Sequence, residues 1–316
     1  MTLPQSAQAT PLAATRSISA ARSARIREIK DFLTAMLFLL PSLVIFFSFV
    51  FIPLLKTIQL SFFFTDPIGR MASFAGFENY QRVLQGNDLL NSLRVSLTYT
   101  LFVVPGTIVL SLFLALLANV QLRGITVFRV IFSSTIAVSG AITSLIFLFL
   151  FHPAIGIFNY ILDLVQLPRV QWLISDTTAL MSISIVTIWL NLGFNTILFL
   201  AAMQGVPQEL YESATIDGAG FWQSLRHITI PLISPTMFFL IVVSTLNVLQ
   251  TFTQVNIMTR GGPVNSTNVI VYLIYRAFYF DGQYGVAATI SVILFLLMLV
   301  LTLLQFGVLE RRVHYA

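Results

Sequence analysis

The residues best equipped for chemistry in this chain are amides and hydroxyls set in otherwise apolar sequence. Asn247, Gln250, Thr251 and Gln254 recur at i, i+3, i+4 and i+7, the spacing that puts four side chains on one face of a helix. Asn191 and Asn195 stand one turn apart beside Trp189, and Ser139 and Thr143 repeat that spacing earlier in the chain. An amide offers both donors and acceptors. These faces could line a path for a hydroxyl-rich solute, with Trp189 or Phe252 stacking on a sugar face. The same residues could hydrogen-bond one helix to another, a common role in membrane bundles. Harder chemistry is missing. There is no cysteine, and His152, His227 and His314 lie far apart, which excludes disulfides, thiolate metal sites, Fe–S clusters and cysteine nucleophiles and disfavours a histidine metal site. The only lysines, Lys30 and Lys56, do not follow a glycine, so the Gly-x4-Gly-Lys-[Ser/Thr] nucleotide loop cannot form. No TVGYG filter occurs, and basic residues form no face for nucleic acid.

The elements that must position these side chains are set by where charge is absent. Of 316 residues 57% are hydrophobic and 9% charged, and the mean hydropathy is +0.90. Water-soluble domains carry about 25% charged residues. A charge at the bilayer centre costs about 2.5–3.5 kcal/mol on insertion scales, so spans lie in the gaps between ionised residues. Asp31–Lys56 encloses 24 uncharged residues, Arg94–Arg123 encloses 28 and Arg129–Asp163 encloses 33. Asp176–Glu209, Arg226–Arg260 and Asp281–Glu310 enclose 32, 33 and 28, with His227 counted as neutral. Each gap holds an apolar run near the ~20 residues that cross ~30 Å of hydrocarbon. The expectation is an all-α integral membrane protein with six transmembrane helices, near 32–55, 96–118, 130–151, 179–203, 233–256 and 285–308. The first run has no A-x-A-like cleavage site after it, unlike a signal peptide, and runs such as 101–117 lack the alternation of a membrane β-strand.

Basic residues flanking the spans set the orientation. With both termini in the cytoplasm, that side holds ten Lys and Arg residues and the other side holds seven, which favours termini-in. The chain then divides into a cytoplasmic tail at 1–31, whose first 24 residues read as disordered, a transmembrane domain at 32–308 and a cytoplasmic tail at 309–316. The segment 204–232 falls in the cytoplasm between spans four and five. Pro207 suits a helix start, and Glu209 and Glu212 in the early turns favour the helix dipole. Gly218 can adopt a left-handed conformation at a break after Asp217. A second short helix follows, with Phe221, Trp222, Leu225 and Ile228 as an apolar stripe and Pro231 at its end. The reading is a coupling helix pair bent about a glycine, or an interfacial pair with no partner.

The order Glu212-Ser213-Ala214, Gly218, Ile228-Thr229-Ile230-Pro231 resembles the EAA signature of binding-protein-dependent ABC importer permeases. The spacing agrees throughout, with Ser213 in place of alanine and Ile230 in place of leucine. The resemblance covers roughly 32–316. Phe74 to Tyr80 resembles the F-x-G-x-x-N-[YF] element after the first span of carbohydrate-type permeases. Gly261-Gly262-Pro263, Thr267 and Ile274-Tyr275-Arg276 resemble their element before the last span. The tail Val308–Tyr315 is similar to that of sn-glycerol-3-phosphate permease subunits.

This resemblance implies a transporter subunit, not an enzyme, of a bacterial inner membrane. The loop of the family docks on a separate ATPase, so Glu209, Glu212, Ala214, Asp217, Gly218, Ala219, Ile228 and Pro231 become coupling residues. Glu212 would pair with a basic or polar group there, Ala214 and Ala219 would permit close approach, and Gly218 would set the bend. It further implies a second permease subunit, usually a different chain, two ATPase subunits that hold ATP and Mg, and an external solute-binding protein. No cofactor would be bound by this chain. The solute path would use Asn191, Asn195, Asn247, Gln250, Thr251 and Gln254 for a sugar, glycerol-3-phosphate or glycerophosphodiester. The rival is an ion-gradient-driven carrier, which would normally keep an Asp, Glu or His inside a span as its relay; the six spans hold none apart from His152 at a boundary.

Overall fold

The first long apolar run is preceded by alanine, leucine and arginine, all strong helix formers, so one helix extends from the N-terminal segment into that run. The computed structural model describes residues 11–120, 122–310 and 313, in two units that divide between Thr57 and Ile58. In the first unit α1 covers Pro11–Phe46 and a π-helical turn covers Phe47–Phe51, and α2, Ile52–Ser61, runs across the boundary so that Ser61 belongs to the second unit. This corrects the disordered reading for residues 11–24, where helix propensity outweighs the lack of apolar periodicity; residues 1–10 lie outside the described residues. The stretch Lys30–Ser61 is long and apolar enough to cross a membrane and has none of its most apolar window buried. Phe38, Leu37 and Phe49 are among its outward side chains, the pattern of a helix that meets lipid or another chain.

The second unit opens with a hairpin, β1 at Phe63–Thr65 and β2 at Met71–Phe74, antiparallel with Phe63 opposite Phe74. Its turn forms because Asp66 Oδ1 accepts from the backbone N–H groups of Ile68 at 3.1 Å and Arg70 at 2.7 Å, as a short acidic side chain does in a turn. Helices follow as α3 Glu78–Gln85, α4 Asn87–Ala118 and α5 Ile125–Ser133, then a 3-10 turn at Ser134–Ala137 and α6 Gly140–Leu150. Next come α7 Ile157–Leu164, α8 Ala179–Gln204, α9 Gln208–Ile216 and α10 Phe221–Ser224. A π-helical turn at Leu225–Thr229 leads into α11 Ile230–Leu232 and α12 Ser234–Leu249. The unit ends with α13 Thr253–Met258, α14 Ile270–Tyr275, a π-helical turn at Arg276–Phe280 and α15 Tyr284–Leu309.

Among the described residues five stretches are long and apolar enough to cross a membrane: Lys30–Ser61, Asn87–Ala118, Ala179–Gln204, Ser234–Met258 and Tyr284–Leu309. The expected third span is not one helix. Ile125–Ala137 and Gly140–Leu150 meet at 104°, so the count reaches six only if this bent pair is one crossing. The bend arises because Val138 and Ser139 are extended and the Ser139 hydroxyl caps α6 by accepting from Ala141 N at 3.3 Å, which starts a new helix within apolar sequence. The stretch Ser234–Met258 is also interrupted, between Leu249 and Thr253. The second runs nine residues earlier than expected, because Asp88 and Arg94 sit on the extension of a helix that continues beyond the apolar run.

The most extensive helix contact is between α4 and α8. A small residue makes it close: a Cβ on Gly106 of α4 would lie 2.7 Å from Ile188 Cδ1 of α8, the kind of close approach helix pairs in apolar surroundings favour. Arg129 donates from Nε and Nη2 to the Ala118 carbonyl at 3.0 and 2.8 Å, placing a cation at the end of α4 where the dipole favours it. The Phe74–Tyr80 element is a fastening. Buried Asn79 donates to the carbonyls of Ser61 at 3.1 Å and Phe63 at 3.0 Å, and the Tyr80 hydroxyl lies 2.7 Å from that of Ser61. In the Gly261–Thr267 element, buried Thr267 donates to the Gly262 carbonyl at 2.7 Å and its hydroxyl also lies 2.7 Å from that of Thr259.

Candidate functional site

Two interruptions in apolar helices converge on one cavity. Thr135, Ile136 and Val138, from the bend between α5 and α6, face Gln250, Thr251, Phe252, Thr253 and Gln254 from the break between α12 and α13; Asn191 and Thr187 of α8 and Asn247 of α12 complete the polar lining. The cavity is about 420 Å³, within the ~300–1,000 Å³ of small-molecule sites. Irregular backbone at membrane depth is tolerated where it is buried in protein or lines a water-filled space. No lining residue is charged.

Each break is locked by a local contact. The Thr135 hydroxyl accepts from Gly193 N at 2.9 Å, which ties the 3-10 turn to α8. Gly193 is needed there: a Cβ would press against Thr135 and lie 3.0 Å from the Phe132 carbonyl. At the other break Thr251 is buried, and its hydroxyl reaches the Asn247 carbonyl at 3.5 Å. Tyr99 of α4, only 1% exposed, has its hydroxyl 2.5 Å from that of Thr187, so it braces the cavity wall from behind. Sequence reasoning did not single out Thr135, Thr187 or Tyr99. A tyrosine inside an apolar helix was the available signal, because its hydroxyl needs a partner when buried.

Asn247, Gln250, Thr251 and Gln254 all reach the cavity, although the single helical face expected for them is corrected by the break that separates Gln250 and Thr251 from either helix. Asn191 also lines it, with Nδ2 donating to the Thr187 carbonyl at 2.7 Å. Asn195 is not among the lining residues. It is 1% exposed, donates to the Asn191 carbonyl at 2.8 Å and accepts from Ser244 at 3.5 Å, so it joins α8 to α12. Its position one turn beyond Asn191 carries it past the cavity into packed helix. Trp189 packs edge-on against Phe147; Phe252 lines the cavity. Ser139 caps α6, and Thr143 is buried in it.

The acidic segment folds as α9, the break at Asp217–Gly220 and α10, which runs on through the π-helical turn into α11. Pro207 caps α9, one position before the helix start, and Glu209 lies exposed in the first turn. Exposed Glu212 accepts from Gln208 Nε2 at 2.9 Å. α9 ends with Asp217 as its cap and Gly218 at φ +80°. Ala219 N then donates to the Ala214 carbonyl at 2.8 Å and Gly218 N to that of Thr215 at 3.1 Å, the paired bonds of a Schellman turn. The spacing from Ala214 to Gly218 and Ala219 is therefore the spacing of a helix stop. The Gly220 N–H donates to Gln223 Oε1 at 2.8 Å and opens the second helix. Of the apolar stripe, Phe221 and Trp222 are 62% and 76% exposed, Leu225 is buried and Ile228 half-buried. Pro231 does not end this helix: α11 includes it, and the preceding π-helical turn takes up the missing N–H.

Comparison with known proteins places these features in a family. The binding-protein-dependent transport system inner membrane component family matches residues 87–315. Similar curated proteins include the sn-glycerol-3-phosphate transport system permease protein UgpA of Rhizobium meliloti (strain 1021), 34% identical over 87% of this chain and 94% of that protein. The UgpA of Yersinia pestis bv. Antiqua (strain Antiqua) is 33% identical over 88% and 95%. Among solved structures, a bacterial ABC transporter involved in the import of the acidic polysaccharide alginate aligns with a TM-score of 0.78 at 25% identity, over 91% of this chain and 99% of that chain. A bacterial alginate ABC transporter in complex with an alginate pentasaccharide-bound periplasmic protein aligns at 0.77 and 25%, over 90% and 96%.

Proposed function

We propose, on the premise that the chain belongs to the binding-protein-dependent transport system inner membrane component family, a division of labour among its cavity, its acidic knob and subunits outside this chain. The chain is a multi-pass membrane permease subunit of an ABC importer, a transporter component and not an enzyme. Neither the family nor the relatives support an ion-gradient carrier. In the proposed assembly a second, different permease completes the path, two ATPase subunits bind ATP and Mg, and an external solute-binding protein delivers the solute. Both termini and the 204–232 segment face the cytoplasm. Glu209, Glu212, Ala214, Asp217, Gly218, Ala219, Ile228 and Pro231 form or support the surface that receives the ATPase.

The solute is polyhydroxylated, of the glycerol-3-phosphate kind. The cavity's ring of Asn191, Asn247, Gln250, Thr251 and Gln254 carries this reading, because amides and hydroxyls match hydroxyl groups as both donors and acceptors. The relatives named for sn-glycerol-3-phosphate supply the phosphate. A phosphate wants a cation or clustered N–H donors, and this lining has no charged residue. In the proposal this half therefore holds the glycerol hydroxyls, and the charge is met by the partner permease or the binding protein. A neutral sugar is the second reading, favoured by the same uncharged lining. Uptake of labelled sn-glycerol-3-phosphate, a glycerophosphodiester and a neutral disaccharide by cells with the whole transporter tests both. Saturable uptake of the first two supports the primary reading, uptake of the disaccharide alone supports the second, and uptake of none overturns both.

A further inference from the structure

The two short helices of the acidic knob are joined in sequence by Asp217–Gly220, and an added side-chain carbon at Gly218 or Gly220 would meet no heavy atom within 4 Å. At those two positions nothing packs against the bend, which is held by the Gly218 and Ala219 N–H bonds to the Thr215 and Ala214 carbonyls and by the Gly220 N–H bond to Gln223. A second tie lies further along. The Tyr211 hydroxyl of α9 sits 3.0 Å from that of Thr229. Among the described residues this is the one side-chain hydrogen bond that joins α9 to the segment 221–233. Thr229 is 5% exposed, and its hydroxyl also reaches the Ser224 carbonyl at 3.5 Å; either hydroxyl of the 3.0 Å pair can donate.

Thr229 closes the π-helical turn Leu225–Thr229, in which Ile230 N donates to the Leu225 carbonyl. The wide turn follows from Pro231, which has no N–H and whose ring would crowd the carbonyl one turn back. Beyond it the Thr229 carbonyl accepts from Ile233 N at 3.0 Å, and α12 runs from Ser234 to Leu249. Asn247 near its far end lines the cavity. From Thr229 to Asn247 the helical path is about 27 Å at 1.5 Å per residue. One hydroxyl pair thus fastens the front helix of the knob to the foot of the rod that reaches the cavity.

We propose that Tyr211 and Thr229 form the rivet that makes the knob and α12 one lever, so that a push received on α9 arrives at the Asn247–Gln254 wall. Both are positioning residues. The proposal rests on the coupling reading above and adds to it a pair of residues that face each other and not the ATPase. Coupling needs a physically continuous element with two arrangements, and without the rivet α9 can tilt about the glycines while α12 stays still.

The test uses the complete transporter in proteoliposomes with its solute-binding protein, reading solute moved per ATP hydrolysed together with the melting temperature of the complex. Tyr211→Phe and Thr229→Val each lower that ratio about 3–10-fold, the factor expected for one neutral hydrogen bond, with ATP hydrolysis and melting temperature retained. The double variant is no worse than either single one, and Thr229→Ser, which keeps the hydroxyl, restores the ratio. A wild-type ratio in Tyr211→Phe overturns the rivet, as does a double variant whose losses multiply. So does a loss that appears only with a lowered melting temperature or released ATPase. Gly218→Val separates the two levels: if it uncouples transport while Tyr211→Phe does not, only the rivet fails, and if neither changes the ratio the coupling reading fails with it.

Discussion

Replacing Gly218 isolates one physical quantity, the free energy of holding the bend. Gly218 has φ +80°, and a Cβ there would meet no heavy atom within 4 Å. A substitution therefore introduces no clash; its effect is the backbone penalty alone. For an L-residue the left-handed region costs about 1–2 kcal/mol, least for Asn and most for a β-branched side chain. One to two kcal/mol shifts an equilibrium by a factor of about 5–30. That is enough to depopulate the turn closed by Ala219 N to the Ala214 carbonyl and Gly218 N to the Thr215 carbonyl, and with it the placement of Phe221 and Trp222.

The expected order of coupling, as solute moved per ATP in proteoliposomes, is wild type, Gly218→Asn, Gly218→Ala, Gly218→Val. The amount of protein inserted in the membrane should stay constant, because the exposed loop contributes no buried contact. Gly220→Ser is the matched control. Gly220 lies two residues away with φ −80°, a conformation any residue adopts, at a helix start where serine is favoured. Wild-type coupling in Gly218→Val would refute the reasoning. A Gly218→Asn variant as damaged as Gly218→Val would do so as well, since steric or chemical contact would then be at work instead of backbone conformation.

Asn247→Leu and Gln250→Leu should each raise the KM for uptake while the complex assembles normally; Asn195→Ala should instead lower the melting temperature by the effect of about 1–3 kcal/mol for an orphaned buried partner and leave KM alone. Gly193→Ala should destabilise the protein by about 1–3 kcal/mol through overpacking, since its Cβ would lie 3.0 and 3.1 Å from the carbonyls of Phe132 and Ser133; thermal melting in detergent reads this. Hydrogen bonds from Arg169, at 2.8 Å for the closest, lower the Asp163 pKa, so any stability from the pair is present above the ordinary carboxylate range and lost as pH falls through the lowered value. Both side chains are substantially exposed, so Arg169→Gln should shift neither uptake nor melting temperature at neutral pH, and a shift above about 2 °C would show a structural role.

What the sequence made legible follows the size of the energies involved. The whereabouts of the long apolar helices, though not their ends, were readable from charge gaps, because an ion in hydrocarbon is costly. A helix such as α4 runs on past its apolar stretch through Arg94 and Asp88. The helix stop at Asp217–Gly218 was readable because one backbone conformation favours one residue type. The bend at Val138–Ser139 was not, since the run on either side is equally apolar and only Ser139-Gly140, a cap followed by a glycine, marks it. The break after Leu249 contains neither glycine nor proline, and hydrophobic spacing cannot register an interruption that leaves its side chains pointing the same way. Asn191 and Asn195 show the remaining limit. Equal in type and one turn apart, they differ only in what other helices place beside them. The Tyr211–Thr229 contact is hidden for the same reason, being made across 18 residues by the fold.

Whether the amides are solute ligands or helix glue turns on partners. A polar side chain that serves as glue must be satisfied within the protein, because in apolar surroundings an unmade hydrogen bond is expensive. Asn195 meets that condition at both ends of its amide. Asn247 lines the open cavity and is exposed to it, and neither its side chain nor that of Gln254 enters a hydrogen bond among the described residues. The helix breaks point the same way. Interrupting α12 and the α5–α6 pair at membrane depth frees backbone groups that lipid cannot satisfy, and a path that water and solute enter can. Glue would be served better by unbroken helices; two breaks facing each other across unpaired amides are the arrangement that the proposed solute path needs.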